Sequence, residues 1–168
     1  EGRAFHARRV VLAMGRRGTP RRLGVPGEDG DGVYYDVIEM EEFAGQSVLV
    51  VGGGDSAIET ALGLVHQPGT RVLLSYRGAD FERARERNRD RLALAESAGQ
   101  VQVWRSSEVR TIRPGGATIE RGGQREDVAC DAVIVRIGGD PPAAFLEGLG
   151  VRLVKKALIR QAISLYRW

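Results

Sequence analysis

The sequence predicts an α/β fold: a parallel sheet with connecting helices and a small antiparallel β-meander. Three observations predict it. "SVLVVGGG" (47–54) is an apolar run without alternation that enters three glycines, as a parallel strand covered on both faces does. "RVLLSYR" (71–77) is a second such run, placed about 20 residues beyond those glycines, the length of a strand, helix, strand unit. "ATIERGGQREDVAC" (117–130) holds two short alternating runs split by Gly122 and Gly123, which is a hairpin pattern.

The elements follow in order. "RRVVLAMG" (8–15) is a short apolar run ended by glycine, and "RRGTPRRLGVPGEDGDG" (16–32) is an extended connector rich in Pro, Gly and charge. A first boundary is expected near Gly30 to Gly32, so residues 1–30, 31–138 and 139–168 form three successive segments. The strand 47–51 is expected to have helices on both faces of its sheet. The helix after it carries Ala57, Ala61, Leu62, Leu64 and Val65 as an apolar stripe, with Gly69 beyond its end.

The second strand should lie parallel to the first by the right-handed crossover rule. "FERARERNRDRLALAESAG" (81–99) reads as the next helix, with Leu92, Ala93, Ala95 and Ala98 toward the core and Gly99 as its stop. "VQVWRSSEVRTI" (101–112) is expected as a third strand that bends near Ser106 and Ser107. "DAVIVRIGG" (131–139) is a further buried strand ending in glycines. The remaining stretch opens on a Pro pair and closes as a mildly amphipathic basic run.

Composition narrows the function classes. With 168 residues, 42% hydrophobic and 28% charged, the chain is long enough to bury a real core and is about one domain in size. The net charge of +3 is almost entirely arginine, interleaved with Asp and Glu, and no basic block marks a nucleic-acid footprint. One cysteine, Cys130, excludes a disulfide framework or a C-x-x-C pair within this chain, and a reducing cytoplasm is the default. No stretch approaches the roughly 20 apolar residues of a membrane span. A start at Glu1 rather than Met suggests a fragment.

The chemistry begins at Gly52, Gly53, Gly54, Asp55, Ser56 and Ala57, which fit G-x-G-x-x-A. Gly52 allows the tight turn, Gly54 lets a pyrophosphate approach the backbone, and Ala57 lets the helix pack closely on the strand. Free amides and the positive end of the helix dipole then hold the phosphate. This is the Rossmann-like pattern of NAD(P) binding, with Gly138 at the end of the last buried strand as a further contact.

A site for NAD or FAD usually ends its second strand on an acid that accepts from the ribose hydroxyls. Here Ser75, Tyr76 and Arg77 stand in that place. Arginine grips a 2′-phosphate with charge-assisted hydrogen bonds, so NADPH is expected, with Arg77 first and Arg83 and Arg87 as helpers. The alternative for the helpers is a wet helix face alternating with Glu82 and Glu86. Asp80, able to turn toward a ribose, keeps NADH open.

With these residues in place, "ARRVVLAMGRRGTPRRLGVPGED", "VLVVGGGDSAIETAL", "SYRGADFERA" and "DAVIVRIGGDPPAAFLEGLGV" together resemble the thioredoxin-reductase-like flavoproteins over about 150 residues. The resemblance implies an FAD-containing, NADPH-dependent oxidoreductase of the pyridine nucleotide-disulfide oxidoreductase type. The central segment would be its nicotinamide domain, flanked by incomplete pieces of its flavin domain. Ala13, Met14 and Gly15 stand where that family has Ala-Thr-Gly at the flavin-domain crossing. The connectors near Gly30 and near Gly139 would be hinges.

Thioredoxin reductases carry a C-x-x-C pair shortly before the nicotinamide strand. The equivalent stretch here is Tyr35, Asp36, Val37 and Ile38, so electrons cannot leave through such a pair. The chain is closer to the branch without it, such as ferredoxin or flavodoxin reductases of this type and bacillithiol-disulfide-reductase-like proteins. That resemblance admits a small redox protein as electron acceptor and a homodimer as the full-length assembly. The rival expectation is a non-catalytic NADP(H)-binding or interaction module.

Other groups have plainer readings. His6 and His66 are far apart and make no metal-ligand spacing. Ser56 is a phosphate donor rather than a nucleophile, since G-D-S-A is not a nucleophile elbow. Cys130 is a buried structural thiol, Met14, Met40 and Trp104 are packing residues, and Glu41 and Glu42 are solvated. No side chain is assigned as a catalytic acid or base.

Overall fold

The computed structural model describes residues 6–9, 11, 19–37, 39–140 and 143–152. The chain divides into two compact units, one of Pro20–Gly139 and one of Glu1–Thr19 with Asp140–Trp168. In the larger unit the elements are β2 (Val33–Tyr34), a 3-10 turn (Met40–Phe43), β3 (Ser47–Val51), α1 (Asp55–Leu64), β4 (Arg71–Ser75), α2 (Glu86–Ser97), β5 (Val101–Trp104), β6 (Ser107–Arg113), β7 (Gly116–Arg121), β8 (Gln124–Ala129) and β9 (Ala132–Val135). Two-residue strands, β1 (Thr19–Pro20) and β10 (Gly139–Asp140), stand where the chain enters and leaves that unit. Helix α3 (Ala143–Gly148) belongs to the other.

Five strands form a parallel sheet in the order β2-β9-β3-β4-β5, and β6-β7-β8 form a separate antiparallel sheet. Strand alternation sorts the core into two layers. Val48, Val50, Val72, Leu74 and Ile134 face α1 and α2, packing with Ala57, Ile58, Ala61, Leu64, Leu92 and Ala95. Leu49, Val51, Leu73, Val133 and Val135 face the antiparallel sheet, meeting Val109, Ile112, Ala117 and Ile119.

The expectation of helices on both faces is therefore corrected. The described helices of the larger unit cover one face, and the β-meander buries the other. A continuous apolar run reports two buried faces and says nothing of what buries them.

Two further corrections concern boundaries. Helix α2 begins at Glu86, not near Phe81, and Ala93 and Ala98 are exposed while Leu92 and Ala95 are buried. Residues 81–85, expected as its first turn, belong instead to the loop that precedes it. The third strand does not bend at Ser106 and Ser107 but ends at Trp104, and Ser106, at φ +50°, turns the chain into the other sheet. Ser107 is buried there, sharing a 2.8 Å hydrogen bond with the Ser75 hydroxyl and donating to the Trp104 carbonyl at 2.7 Å.

The hairpin appears as expected. Gly122 and Gly123 have φ of +59° and +78°, and Arg121 stands opposite Gln124. Positive φ at both central positions is the type I′ signature that matches strand twist.

The Pro- and Gly-rich stretch 20–32 packs with the larger unit. The Ile112 amide donates to the Pro26 carbonyl at 2.9 Å, and Gly27 presses so close that an added Cβ would lie 1.9 Å from the Ile112 carbonyl oxygen.

Candidate functional site at the carboxyl ends of the parallel strands

The chain leaves β3 toward β4 and β5 on one side, while β9 and β2 lie on the other. The carboxyl end of β3 is thus the switch point of an open α/β sheet, where ligands bind. Three loops converge there: 52–54 after β3, 76–85 after β4 and 136–138 after β9. They are tied by the amides of Gly52 to Ser75 O at 3.0 Å, Arg136 to Val51 O at 2.7 Å and Tyr76 to Trp104 O at 2.9 Å.

Within 52–57 each small residue has its own reason. Gly52 sits at φ +148°, and a Cβ there would lie 2.4 Å from the Arg136 carbonyl oxygen. A Cβ on Gly53 would fall inside the Tyr76 ring, 2.1 Å from its nearest carbon. Gly54 faces open space, with nothing within 4 Å of an added Cβ. Ala57 is fully buried against the sheet.

Gly54 is the extended N-cap of α1, and no side chain caps the helix. Its carbonyl takes the amides of Ala57 and Ile58, so the first amides of α1, those of Asp55 and Ser56, precede the intrahelical ladder. An anion over Gly54 would meet those donors and the positive helix end. Ser56 is exposed beside them.

Asp55 is placed differently from its neighbours. Its Oδ1 accepts from the Arg85 amide at 2.9 Å and from Asn88 Nδ2 at 2.7 Å, and Arg85 Nε lies 3.6 Å from Oδ2. These bonds, the Arg85 amide first and Asn88 next, hold its carboxyl below the ordinary carboxylate range. Asn88 also donates to Glu59 Oε1 at 2.9 Å.

The arginines of the loop after β4, at 77, 83 and 85, and Arg87 in the first turn of α2 divide in two. Arg85 is paired, whereas Arg77, Arg83 and Arg87 are exposed, with no hydrogen bond or ion pair among the described residues. Tyr76 stacks on Phe81 at 4.9 Å between centroids, and its ring fills the space over Gly53 and Gly78. Gly138, at φ +96°, faces open space, and its carbonyl accepts from the Arg21 amide at 3.0 Å. Ala13, Met14 and Gly15 lie outside the described residues.

Sequence reasoning missed Asn88, Arg136 and Glu28, and the packing of Tyr76 on Gly53. Arg136 Nη1 donates to the Tyr35 carbonyl at 2.8 Å and lies 3.3 Å from Asp36 Oδ1, while its Nε is buried without a partner. Glu28 is buried and accepts from the Leu23 and Gly24 amides and the Tyr35 hydroxyl. Burial works to raise its pKa, but the Tyr35 hydroxyl and the two amides outweigh it and hold it below the ordinary value. Burial and the Glu28 carboxylate push the Tyr35 phenol up to about 12.

Burial also pushes the Cys130 thiol up, the opposite of a reactive thiolate. Among the described residues no cluster of His, Cys, Asp and Glu could hold a metal ion, and no helix is long and apolar enough to cross a membrane.

Residues 1–160 match the pyridine nucleotide-disulphide oxidoreductase family. The chain belongs to that family. A ferredoxin–NADP reductase of Thermus thermophilus is 35% identical over 168 aligned residues, 94% of this chain and 50% of the relative. A bacillithiol disulfide reductase from Bacillus cereus superimposes with a TM-score of 0.74 at 25% identity, covering 82% of this chain and 43% of that one. The Lactococcus lactis thioredoxin reductase gives 0.68 at 28% identity, over 77% and 45%. This family member therefore spans about half the length of the curated relatives it matches.

Proposed function

We propose that the chain is the dinucleotide-binding part of an NADPH-dependent flavin oxidoreductase. The observation that carries this is the open space over Gly54 at the uncapped start of α1, beside a loop and helix start that hold Arg77, Arg83 and Arg87 unpaired. A Cβ or a capping side chain would fill the first feature, and ion pairs would silence the second; neither is present. The residues fit a dinucleotide that carries both a pyrophosphate and a 2′-phosphate.

In this reading the amides of Asp55 and Ser56 hold the pyrophosphate, the Ser56 hydroxyl adds a donor, and Arg77 binds the 2′-phosphate with Arg83 and Arg87 beside it. Gly138 borders the pocket from the β9 side. Bound NADPH supplies a hydride, and FAD in the full-length protein accepts it. The chain's own part is to bind and orient: residues 31–138 are the dinucleotide segment, and 1–30 and 139–168 are the crossings to a flavin domain.

The acceptor is a small redox protein of the ferredoxin kind rather than a protein dithiol. Two things support this: the name of the Thermus relative, and the stretch 35–38, which holds no cysteine. Cys130 is buried and alone, which suits a reducing cytoplasm.

Titrating the chain with NADPH and with NADH tests the reading. Arg77→Ala should weaken NADPH by about 2 kcal/mol, roughly thirtyfold, and leave NADH unchanged, as expected for a charge-assisted contact. Equal weakening of both removes the 2′-phosphate role. In the full-length protein, NADPH should bleach a bound flavin, and a colourless protein overturns the flavin part.

A further inference from the structure

The glycine loop and the arginine loop could each bind a phosphate alone, but a dinucleotide needs them at one fixed separation. The single ribose that joins its pyrophosphate to its 2′-phosphate limits that separation to a narrow range. Beyond the Gly52 to Ser75 backbone bond, side chains join the loops at two places. At one end, the Tyr76 ring lies against Gly53. At the other, Asp55, the first residue of α1, is bound by the cap and the first turn of α2 through the Arg85 amide and Asn88 Nδ2.

We propose that Asp55 and Asn88 are positioning residues that hold the arginine loop in register with the glycine loop, and so set selectivity for a 2′-phosphorylated dinucleotide. The inference rests on the 2′-phosphate reading given above.

Three features argue for register rather than simple cohesion. Leu92 and Ala95 already bury α2 against the sheet, so the hydrogen bonds are not what attaches the helix. Asn88 is a buried amide that spends its Nδ2 on two carboxylates of α1, Asp55 and Glu59, at 2.7 and 2.9 Å, which fixes α2 along the axis of α1. The bonds also sort charge. They engage Arg85 and leave its neighbours unpaired, and they commit an Asp55 oxygen that would otherwise compete with phosphate for the first amides of α1.

Arg83 and Arg87 flank the Arg85 cap on either side. A slip of the cap displaces both and shifts the end of the span that begins at Arg77. Pyrophosphate binding at Gly54 does not depend on that span. Loss of the clasp therefore separates the two nucleotides, weakening NADPH while sparing NADH.

The test is the ratio of NADPH to NADH affinity in the 168-residue chain, with melting followed by circular dichroism. Asn88→Ala and Asp55→Ala should each reduce the preference for NADPH about tenfold, the size of a displaced charge-assisted bond. Asp55→Asn keeps an acceptor for both donors and should retain the preference. Removing the Asp55 charge favours NADPH, the more negative of the two nucleotides, so a fall in the ratio comes from lost register and not from lost charge. Should the buried Asn88 site fail to fold on truncation, Asp55→Ala, whose side chain is 30% exposed, decides alone.

An unchanged ratio in the folded alanine variants, with preference lost in Arg77→Ala, overturns the clasp and leaves the 2′-phosphate reading standing. An unchanged ratio in Arg77→Ala, or no preference in the unaltered chain, overturns both.

Discussion

Two glycine-bearing turns of this chain look alike as sequence and behave oppositely as structure. The turn 52–54 leaves its last glycine in open space at an uncapped helix start. The turn 23–28 presses Gly27 into the Ile112 backbone, and its Leu23 and Gly24 amides are taken by the buried Glu28 carboxylate. Both use glycine because a backbone must come close to something. In the first, Gly52 and Gly53 close on the chain itself while Gly54 meets nothing, and the Asp55 and Ser56 amides beside it are spare. In the second, Gly27 also closes on the chain itself, and the donors are consumed. Spare donors, rather than glycine, distinguish a binding loop from a packing loop.

The sharpest way to break the comparison is to add the same methyl group to each turn. Gly27→Ala should cost at least about 3 kcal/mol in denaturant unfolding, because φ is +83° and the new carbon would lie 1.9 Å from a carbonyl oxygen. If Gly27→Ala melts like the unaltered chain, the close approach is not what holds the connector. Glu28→Ala comes next. It strands two amides and a phenol in a part-buried site, and should cost about 2 kcal/mol in the same assay while leaving nucleotide affinity alone. Gly54→Ala should do the reverse, changing stability by less than about 1 kcal/mol. By intruding on the phosphate position it should weaken NADPH and NADH alike by about tenfold.

Part of this contrast was legible in the sequence. The unbroken apolar run into 52–54, the second strand's distance and the missing acid after it depend on local pattern. Local pattern also placed the Gly122 and Gly123 hairpin and the buried β9. The rest is tertiary. Glu28 reads as one acid among Asp29 and Asp31, and only the fold brings Tyr35 and two amides onto it. Asn88 is one polar residue in an arginine-rich run, and its partners lie about thirty positions upstream. Leu94 is exposed, although it stands between the core-facing Leu92 and Ala95, because helical spacing turns it outward. Tyr76 was weighed as the residue where an acid should be, whereas its ring explains why Gly53 is glycine.

The smallest effect sharpens the packing side of the comparison, because it asks whether the donors of 23–28 are held by a charge. The Tyr35 phenol, raised to about 12 from an ordinary 10, donates to the Glu28 carboxylate. A group whose folded pKa is raised stabilises the fold fully below its unfolded pKa and loses that contribution as pH climbs through the folded one. The wild type should therefore lose stability between about pH 10 and 12, as the unfolded chain ionises this phenol and the folded one resists. Tyr35→Phe has no such group. It should cost about 1 kcal/mol at neutral pH for the lost bond, and the gap to the wild type should close across that alkaline window. A gap that stays constant from pH 7 to 12 means that Glu28 holds the two amides without the phenol, and that the turn is closed by backbone donors alone.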